Sequence, residues 1–72
     1  MAKFRIGQRV RIVQLPAYVK TAEPMPMLRP AQVIEVGEEG VILAYTPGGD
    51  WSVRCQRGAY LLGEAYLEAV EP

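Results

Sequence analysis

Residues 41–55 read VILAY-TPGGD-WSVRC, which is a β-rich run, a turn and a second β-rich run. Residues 46–50 are a strong turn signal, because glycine takes positive φ without penalty and proline presets the entry angle. In the second run Trp51, Val53 and Cys55 alternate with polar residues, as in a strand with one buried face. We therefore expect the two runs to pair antiparallel as a hairpin.

A further strand is predicted before this hairpin. Residues 7–13 alternate polar and apolar side chains, which places Val10 and Ile12 on one face and Arg9 and Arg11 on the other. The pattern is that of a half-buried strand, since successive side chains of a strand point to opposite faces.

The end of the chain adds the remaining elements of the predicted fold. Residues 59–62 and 67–70 predict two strands, and residues 63–66 between them predict a single helical or 3₁₀ turn. No internal repeat is evident. This element order favours an all-β fold, a small five-stranded Src-homology-3-like (SH3-like) barrel. It would have a long loop after the first strand and a one-turn 3₁₀ helix before the last.

The length and composition predict one domain, residues 1–72, in a reducing compartment. The chain has 72 residues, no histidine and one cysteine, Cys55. It therefore lacks an internal disulfide and the usual zinc sites, and we expect no metal or cofactor. With no apolar run of about 18 residues and no leader pattern, we expect a cytoplasmic monomer without membrane insertion.

Residues 14–30 form a long segment with no clear periodicity that contains Pro16, Pro24, Pro26 and Pro30. Long connections in compact domains tend to be functional or disordered, and the apolar content here argues against disorder. We therefore predict a partner-binding segment. Its candidate contacts are Tyr18, Lys20, Thr21, Met25, Met27, Leu28 and Arg29. In the alternative interpretation, the two methionines and Leu28 only cap one open end of the barrel.

Catalysis finds little support in the sequence, and we predict that the protein is not an enzyme. There is no histidine base and no phosphate-binding loop of Walker type. The adjacent carboxylates Glu38 and Glu39 would point to opposite faces of a strand, which makes them a poor acid and base pair. Cys55 is expected to pack as a small apolar residue.

Three further residues are secondary candidates for binding. Arg9 and Arg11 share one strand face and could contact nucleic acid, but eight acidic residues balance the eight basic ones, which makes phosphate binding unfavourable. Trp51 follows a turn and fits either a core position or the aromatic floor of a peptide groove.

The chain also resembles the SipA family, small cyanobacterial and plastid-lineage proteins that interact with the sensor histidine kinase NblS. The resemblance lies in Gly-Gln-Arg-Val-Arg-Ile at 7–12, the proline and methionine segment at 15–30, Gly-Glu-Glu-Gly at 37–40, Pro-Gly-Gly-Asp-Trp at 47–51 and Arg-Gly-Ala-Tyr-Leu-Leu at 57–62.

The resemblance implies a non-catalytic adaptor that binds the ATP-binding domain of the kinase and stimulates its autophosphorylation in high-light and nutrient-stress signalling. Response regulators are possible second partners. The alternative is a small barrel subunit or a nucleic-acid-binding module of a larger assembly.

Overall fold

The structure is a computed structural model in which residues 4–22, 28–30 and 33–70 are described. These residues form an antiparallel all-β fold with one 3₁₀ turn, Glu64–Tyr66, directly before the last strand. Both the all-β class and this turn were predicted from the sequence and are confirmed. The strands are β1 Arg9–Ile12, β2 Tyr18–Thr21, β3 Leu28–Pro30, β4 Glu39–Tyr45, β5 Trp51–Cys55, β6 Gly58–Leu62 and β7 Leu67–Ala69.

The strands lie in one sheet in the order β3-β2-β6-β5-β4-β1-β7, and each neighbouring pair is antiparallel. The predicted hairpin is confirmed as β4 and β5, with Tyr45 opposite Trp51 and a register shift between Ile42 and Ala44. In the described residues the hydrogen-bonded order begins at β3 and ends at β7. Closure of the sheet into a barrel therefore remains a prediction.

In the described part of the chain the sheet has seven strands, where the sequence predicted five. The two additional strands, β2 and β3, lie within the segment 14–30 that was expected to be a loop. Tyr18 and Val19 are both apolar, so the alternation of exposed and buried positions in β2 leaves no period-two pattern in the sequence. The three prolines in residues 24–30 also count against strand structure.

The core lies on one side of the sheet and is almost entirely apolar. Trp51 is its largest member and is 2% exposed, and its ring contacts Phe4 edge-on, with 5.3 Å between the ring centroids. Aromatic pairs in this arrangement stabilise a core beyond the area that they bury. The other buried apolar residues are Val10, Ile12, Val19, Ile34, Ile42, Val53, Cys55, Tyr60, Leu62 and Leu67.

Two segments of the chain, residues 4–12 and 34–42, have the same local structure. Gly7 and Gly37 adopt φ values of 88° and 93°, each in a turn that leads into a strand. The backbone N–H groups of Arg5 and Glu35 donate to the side-chain oxygens of Gln8 and Glu38, at 2.9 and 3.2 Å. This repeat is not evident in the sequence, because the side chain that accepts the turn hydrogen bond is Gln8 in one segment and Glu38 in the other.

Reciprocal hydrogen bonds join the two segments. The N–H of Gly7 donates to the carbonyl of Ile42, and the N–H of Gly37 donates to the carbonyl of Ile12, both at 2.7 Å. β1 and β4 pair in the same symmetrical way, with Arg9 opposite Val41 and Arg11 opposite Glu39. Residues 4–12 and 34–42 are therefore two similar units related by an approximate two-fold axis, and they meet where β1 pairs with β4.

Candidate protein-binding face

The outer face of β2 carries two exposed side chains, Tyr18 and Lys20. The alternate residues of the strand, Val19 and Thr21, are buried. This division follows from the pleat of a strand, which sends successive side chains to opposite sides of the sheet. Tyr18 is 64% exposed, so most of its ring contacts solvent in this structure.

The register of β3 and β6 adds three residues to this outer face. Pro30 lies opposite Tyr18, and Leu28 lies opposite Lys20. On its other side Lys20 lies opposite Leu61 of β6. Residues that face each other in antiparallel strands share a face, so these side chains belong to one surface. We call it the β2–β3 face: Tyr18, Lys20, Leu28, Pro30 and Leu61.

The β2–β3 face is unusually apolar for an exposed surface. Leu28 is 64% exposed, as is Tyr18, and Pro30 is exposed beside them. Aromatic and aliphatic side chains are typical of the centre of protein interfaces, whereas charged side chains are depleted there. Lys20 is the one charged residue of this face, and no ion pair of Lys20 is present among the described residues.

The predicted binding residues are distributed unequally over the structure. Tyr18, Lys20 and Leu28 come together on the β2–β3 face, whereas Thr21 is 8% exposed and belongs to the inner side. Arg29 lies in β3, opposite Val19. Met25 and Met27 lie outside the described residues, so their predicted contacts and the alternative capping role stay predictions.

Leu61 was not predicted to belong to this face, because residues 59–62 are all apolar and show no alternation in the sequence. In the structure Tyr60 and Leu62 are buried, and a residue between two buried positions of a strand points the other way. What the sequence did not provide was the pairing of β6 with β2. That pairing depends on a strand that lay inside a predicted loop.

The secondary candidates Arg9 and Arg11 lie on the other half of the sheet. Both are in β1, and both form ion pairs with Glu39 of β4, that of Arg11 at 4.0 Å. Glu68 of β7 lies opposite Arg11. Acidic neighbours therefore offset these two charges locally, which weakens any attraction for phosphate groups.

Trp51 lies in the core, packed against Phe4 and Tyr45. The centroids of the Tyr45 and Trp51 rings are 4.5 Å apart, and Tyr45 is 55% exposed. The indole Nε1 of Trp51 is buried and has no hydrogen-bond acceptor among the residues that the structure describes. The position matches the core interpretation, and a role for Trp51 in binding stays a prediction.

Cys55 is buried at the end of β5. Burial and the nearby carboxylate of Glu38 raise the pKa of this thiol to about 11. Glu38 itself accepts a hydrogen bond from the backbone N–H of Gln56 at 3.0 Å. Glu38 also lines a cleft of about 380 Å³, together with residues that include Val36 and Arg57. A thiol with a raised pKa is a poor nucleophile, because only the thiolate reacts.

Residues 6–67 match the protein family described as Protein CHLORORESPIRATORY REDUCTION 42-like. The chain is also similar to Protein CHLORORESPIRATORY REDUCTION 42, chloroplastic, from Arabidopsis thaliana, with 37% identity over 71 residues. The aligned part is 97% of this chain and 59% of the relative, so the chain spans about three-fifths of that protein's length. No solved structure matches this chain. Within the described residues, none of the helices has the length and apolar character needed to cross a membrane.

These matches correct the predictions that rested on the SipA resemblance. Assignment to the SipA family is wrong, because a different family covers residues 6–67. The predicted kinase adaptor, with its histidine kinase and response regulator partners, is contradicted by the same match, and the alternative barrel subunit or nucleic-acid module gains no support. The cytoplasmic prediction is contradicted by a relative named as chloroplastic. The motifs behind the resemblance are largely glycine turns and alternating strands, which specify backbone geometry and not a partner.

Proposed function

This chain belongs to the CHLORORESPIRATORY REDUCTION 42-like family, and from that premise we propose that it is a non-catalytic protein-binding domain that serves chlororespiratory reduction. Chlororespiratory reduction is the process that gives the Arabidopsis relative its name. The domain acts by binding another protein through its β2–β3 face.

The exposure of Tyr18 and Leu28 carries this proposal. Each side chain is 64% exposed, and the two lie in neighbouring strands on the same face. Complete burial of a large apolar side chain is worth about 1.5–3 kcal/mol, so the isolated domain forgoes much of this stabilisation at both positions. A partner that covers the face would recover it.

The absence of catalytic groups supports a binding role. Among residues 4–22, 28–30 and 33–70, no group of three or more acidic, cysteine or histidine side chains could hold a metal ion. The thiol of Cys55 is buried and stays protonated at neutral pH, because its pKa is about 11. This thiol is therefore a poor nucleophile, because only the thiolate reacts.

Met25 and Met27 are proposed contacts because of their place in the chain. They lie between the end of β2 at Thr21 and the start of β3 at Leu28. Methionine is flexible and polarizable, and it is common at protein contacts. We keep both residues as proposed contacts.

A chimaera in Arabidopsis tests this function. In a plant that lacks the named relative, this chain would replace the matched part of the relative, and chlorophyll fluorescence after a light-to-dark transition would report chlororespiratory reduction. We expect the chimaera to restore it. We expect the variant with Tyr18→Ser and Leu28→Ser to lose most of the restored signal, because it removes the apolar contact area of the β2–β3 face.

A matched control separates the β2–β3 face from general surface apolarity. Ile6 and Val36 are 76% and 59% exposed, at the tips of the two similar turns. The variant with Ile6→Ser and Val36→Ser should restore the process as the unmodified chimaera does. Both double variants should unfold within about 0.5 kcal/mol of the wild type, because the changes are on the surface. A chimaera that restores nothing would refute the proposed function, and equal effects of the two double variants would refute the choice of face.

A further inference from the structure

Charge is divided between the two halves of the sheet. The adjacent strands β3, β2, β6 and β5 contain no aspartate or glutamate, and their charged residues are the cations Lys20, Arg29 and Arg54. The strands on the other side, β4, β1 and β7, contain Glu39 and Glu68. A protein with no net charge therefore has a cationic half-sheet beside a mixed one.

Lys20 and Arg54 keep their charges available to a partner. Both side chains are exposed, and neither forms an ion pair among the described residues. Arg9 and Arg11 differ, because Glu39 pairs with both. The unpaired cations of the strands described here thus lie on the half of the sheet that contains the β2–β3 face.

The spacing of these cations fits one binding segment. Arg54 lies opposite Ala59 of β6, and Lys20 lies opposite Leu61 of the same strand. Two strand spacings of about 4.8 Å and two residues of about 3.4 Å put their Cα atoms roughly 12 Å apart. Leu61 lies between them in the sheet. Lys20 itself lies between Leu61 of β6 and Leu28 of β3. The surface therefore presents apolar residues on both sides of Lys20, with Arg54 at its β5 edge.

We infer that the partner presents a segment rich in both acidic and aliphatic residues, whose carboxylates pair with Lys20 and Arg54 and whose aliphatic side chains cover Tyr18 and Leu28. This inference rests on the proposed function and specifies the chemistry of its partner. Complementary charge at the rim of an interface mainly selects the partner and speeds the encounter, while the apolar centre supplies most of the affinity.

Other occupants fit this face less well. A nucleic acid gains affinity from many phosphate contacts, and this surface combines two unpaired cations with exposed tyrosine and leucine. A second copy of the chain would have to place its mixed half on this face, where Glu39 is paired with Arg9 and Arg11 and Glu68 lies opposite Arg11.

The test uses the full chain, labelled for NMR, and three synthetic peptides. The first is a 12-residue peptide of glutamate, leucine and alanine, the second has glutamine at every glutamate position, and the third has lysine there. We expect the glutamate peptide to shift the amide signals of residues 18–21, 28–29 and 58–62. We expect it to bind at least fivefold more tightly than the glutamine peptide and to weaken as salt is added, because exposed charges are screened. The lysine peptide should not bind.

Charge-reversal variants test whether Lys20 and Arg54 bind the glutamate peptide. The variant with Lys20→Glu and Arg54→Glu should bind the glutamate peptide at least tenfold more weakly than the wild type. Arg5→Glu with Arg57→Glu is the matched control, because it changes the net charge by the same amount at two exposed turn residues outside the face. This control should retain most of the affinity. Amide spectra of both variants should keep the dispersion of the folded wild type.

Each contrary result overturns the inference. Absence of binding by the glutamate peptide, equal binding of the glutamine peptide, or equal loss in the two double variants would refute an acidic partner. A dimer in sedimentation velocity that the Lys20→Glu and Arg54→Glu variant loses would assign the face to a second copy. If the chimaera depends on Tyr18 and Leu28 while the charge-reversed chimaera is fully active, the proposed function stands and this inference fails.

Discussion

Gly40 lies where the sheet allows no side chain, and we predict that Gly40→Ala destabilises the fold. The residue is buried in β4 and pairs with Val10 of β1. A Cβ atom added to Gly40 would lie 2.7 Å from the carbonyl oxygen of Arg54 and 2.7 Å from Cγ1 of Val53. The carbonyl belongs to β5, which is paired with β4 on one side and β6 on the other. The steric clash can therefore be removed only if the strands of the sheet move.

The size of the effect follows from two opposing terms. Overpacking of a core costs about 1–3 kcal/mol. Replacement of glycine by alanine also lowers the entropy of the unfolded chain, which returns about 0.4–1 kcal/mol. We expect a net loss of about 1–2 kcal/mol, a large share of the roughly 3–5 kcal/mol that a domain of this size obtains from its core. The corresponding fall in Tm is about 4–16 °C.

Urea unfolding followed by fluorescence measures this loss directly. Trp51 is the single tryptophan and is 2% exposed, so its emission should report exposure of the core. Gly48→Ala is the control, because an added Cβ there has no atom within 4 Å and the residue does not have positive φ. We expect Gly48→Ala to remain within about 0.5 kcal/mol of the wild type. If Gly40→Ala were equally mild, the close approach of β4 and β5 would not constrain residue 40, and the steric argument would be refuted.

Two further predictions concern the turns and the thiol. Gly7→Ala and Gly37→Ala should each cost about 1–2 kcal/mol, because both residues have positive φ in similar turns, and losses in urea unfolding that differ by more than about 1 kcal/mol would contradict the similarity. The pKa of Cys55 is raised by burial to about 11 from an ordinary value of 9.0, so the unfolded chain loses this proton first as pH rises. Stability from this group should be fully present below about pH 9 and lost by about pH 11, and a Cys55→Ala variant that keeps the whole pH dependence of unfolding over this range would contradict the assignment.

The sequence predicted the elements whose residues carry their own local signal. The turn before Trp51 contains adjacent glycines and a proline, and the hairpin formed as expected with Tyr45 opposite Trp51. The 3₁₀ turn also lies where it was predicted. These elements depend on neighbours in the sequence, so a single chain contains enough information to identify them.

One of the two missed strands, β2, depends on a partner far away in the sequence. β2 has no period-two signal of its own, because the exposed Tyr18 is as apolar as the buried Val19. Its identity as a strand comes from pairing with β6, about 40 residues later. The similarity between residues 4–12 and 34–42 was hidden for a different reason: the side chain that accepts the turn hydrogen bond is Gln8 in one segment and Glu38 in the other, and the two segments share few identical residues.

Some of the large exposed apolar residues in the described regions are exposed for a local structural reason, and the others are not. Tyr45 packs on the ring of Trp51, and Leu43 lies at the register shift between β4 and β5. Ile6 and Val36 are at the tips of tight turns, where a side chain has few neighbours. These four exposures have a local structural cause. The remaining large exposed apolar residues are Leu15, Tyr18 and Leu28, and all three belong to the segment 14–30. The segment was selected from its prolines and apolar content, and the structure attributes to it the exposed apolar area that local geometry does not explain, which is why the β2–β3 face is the first surface to test.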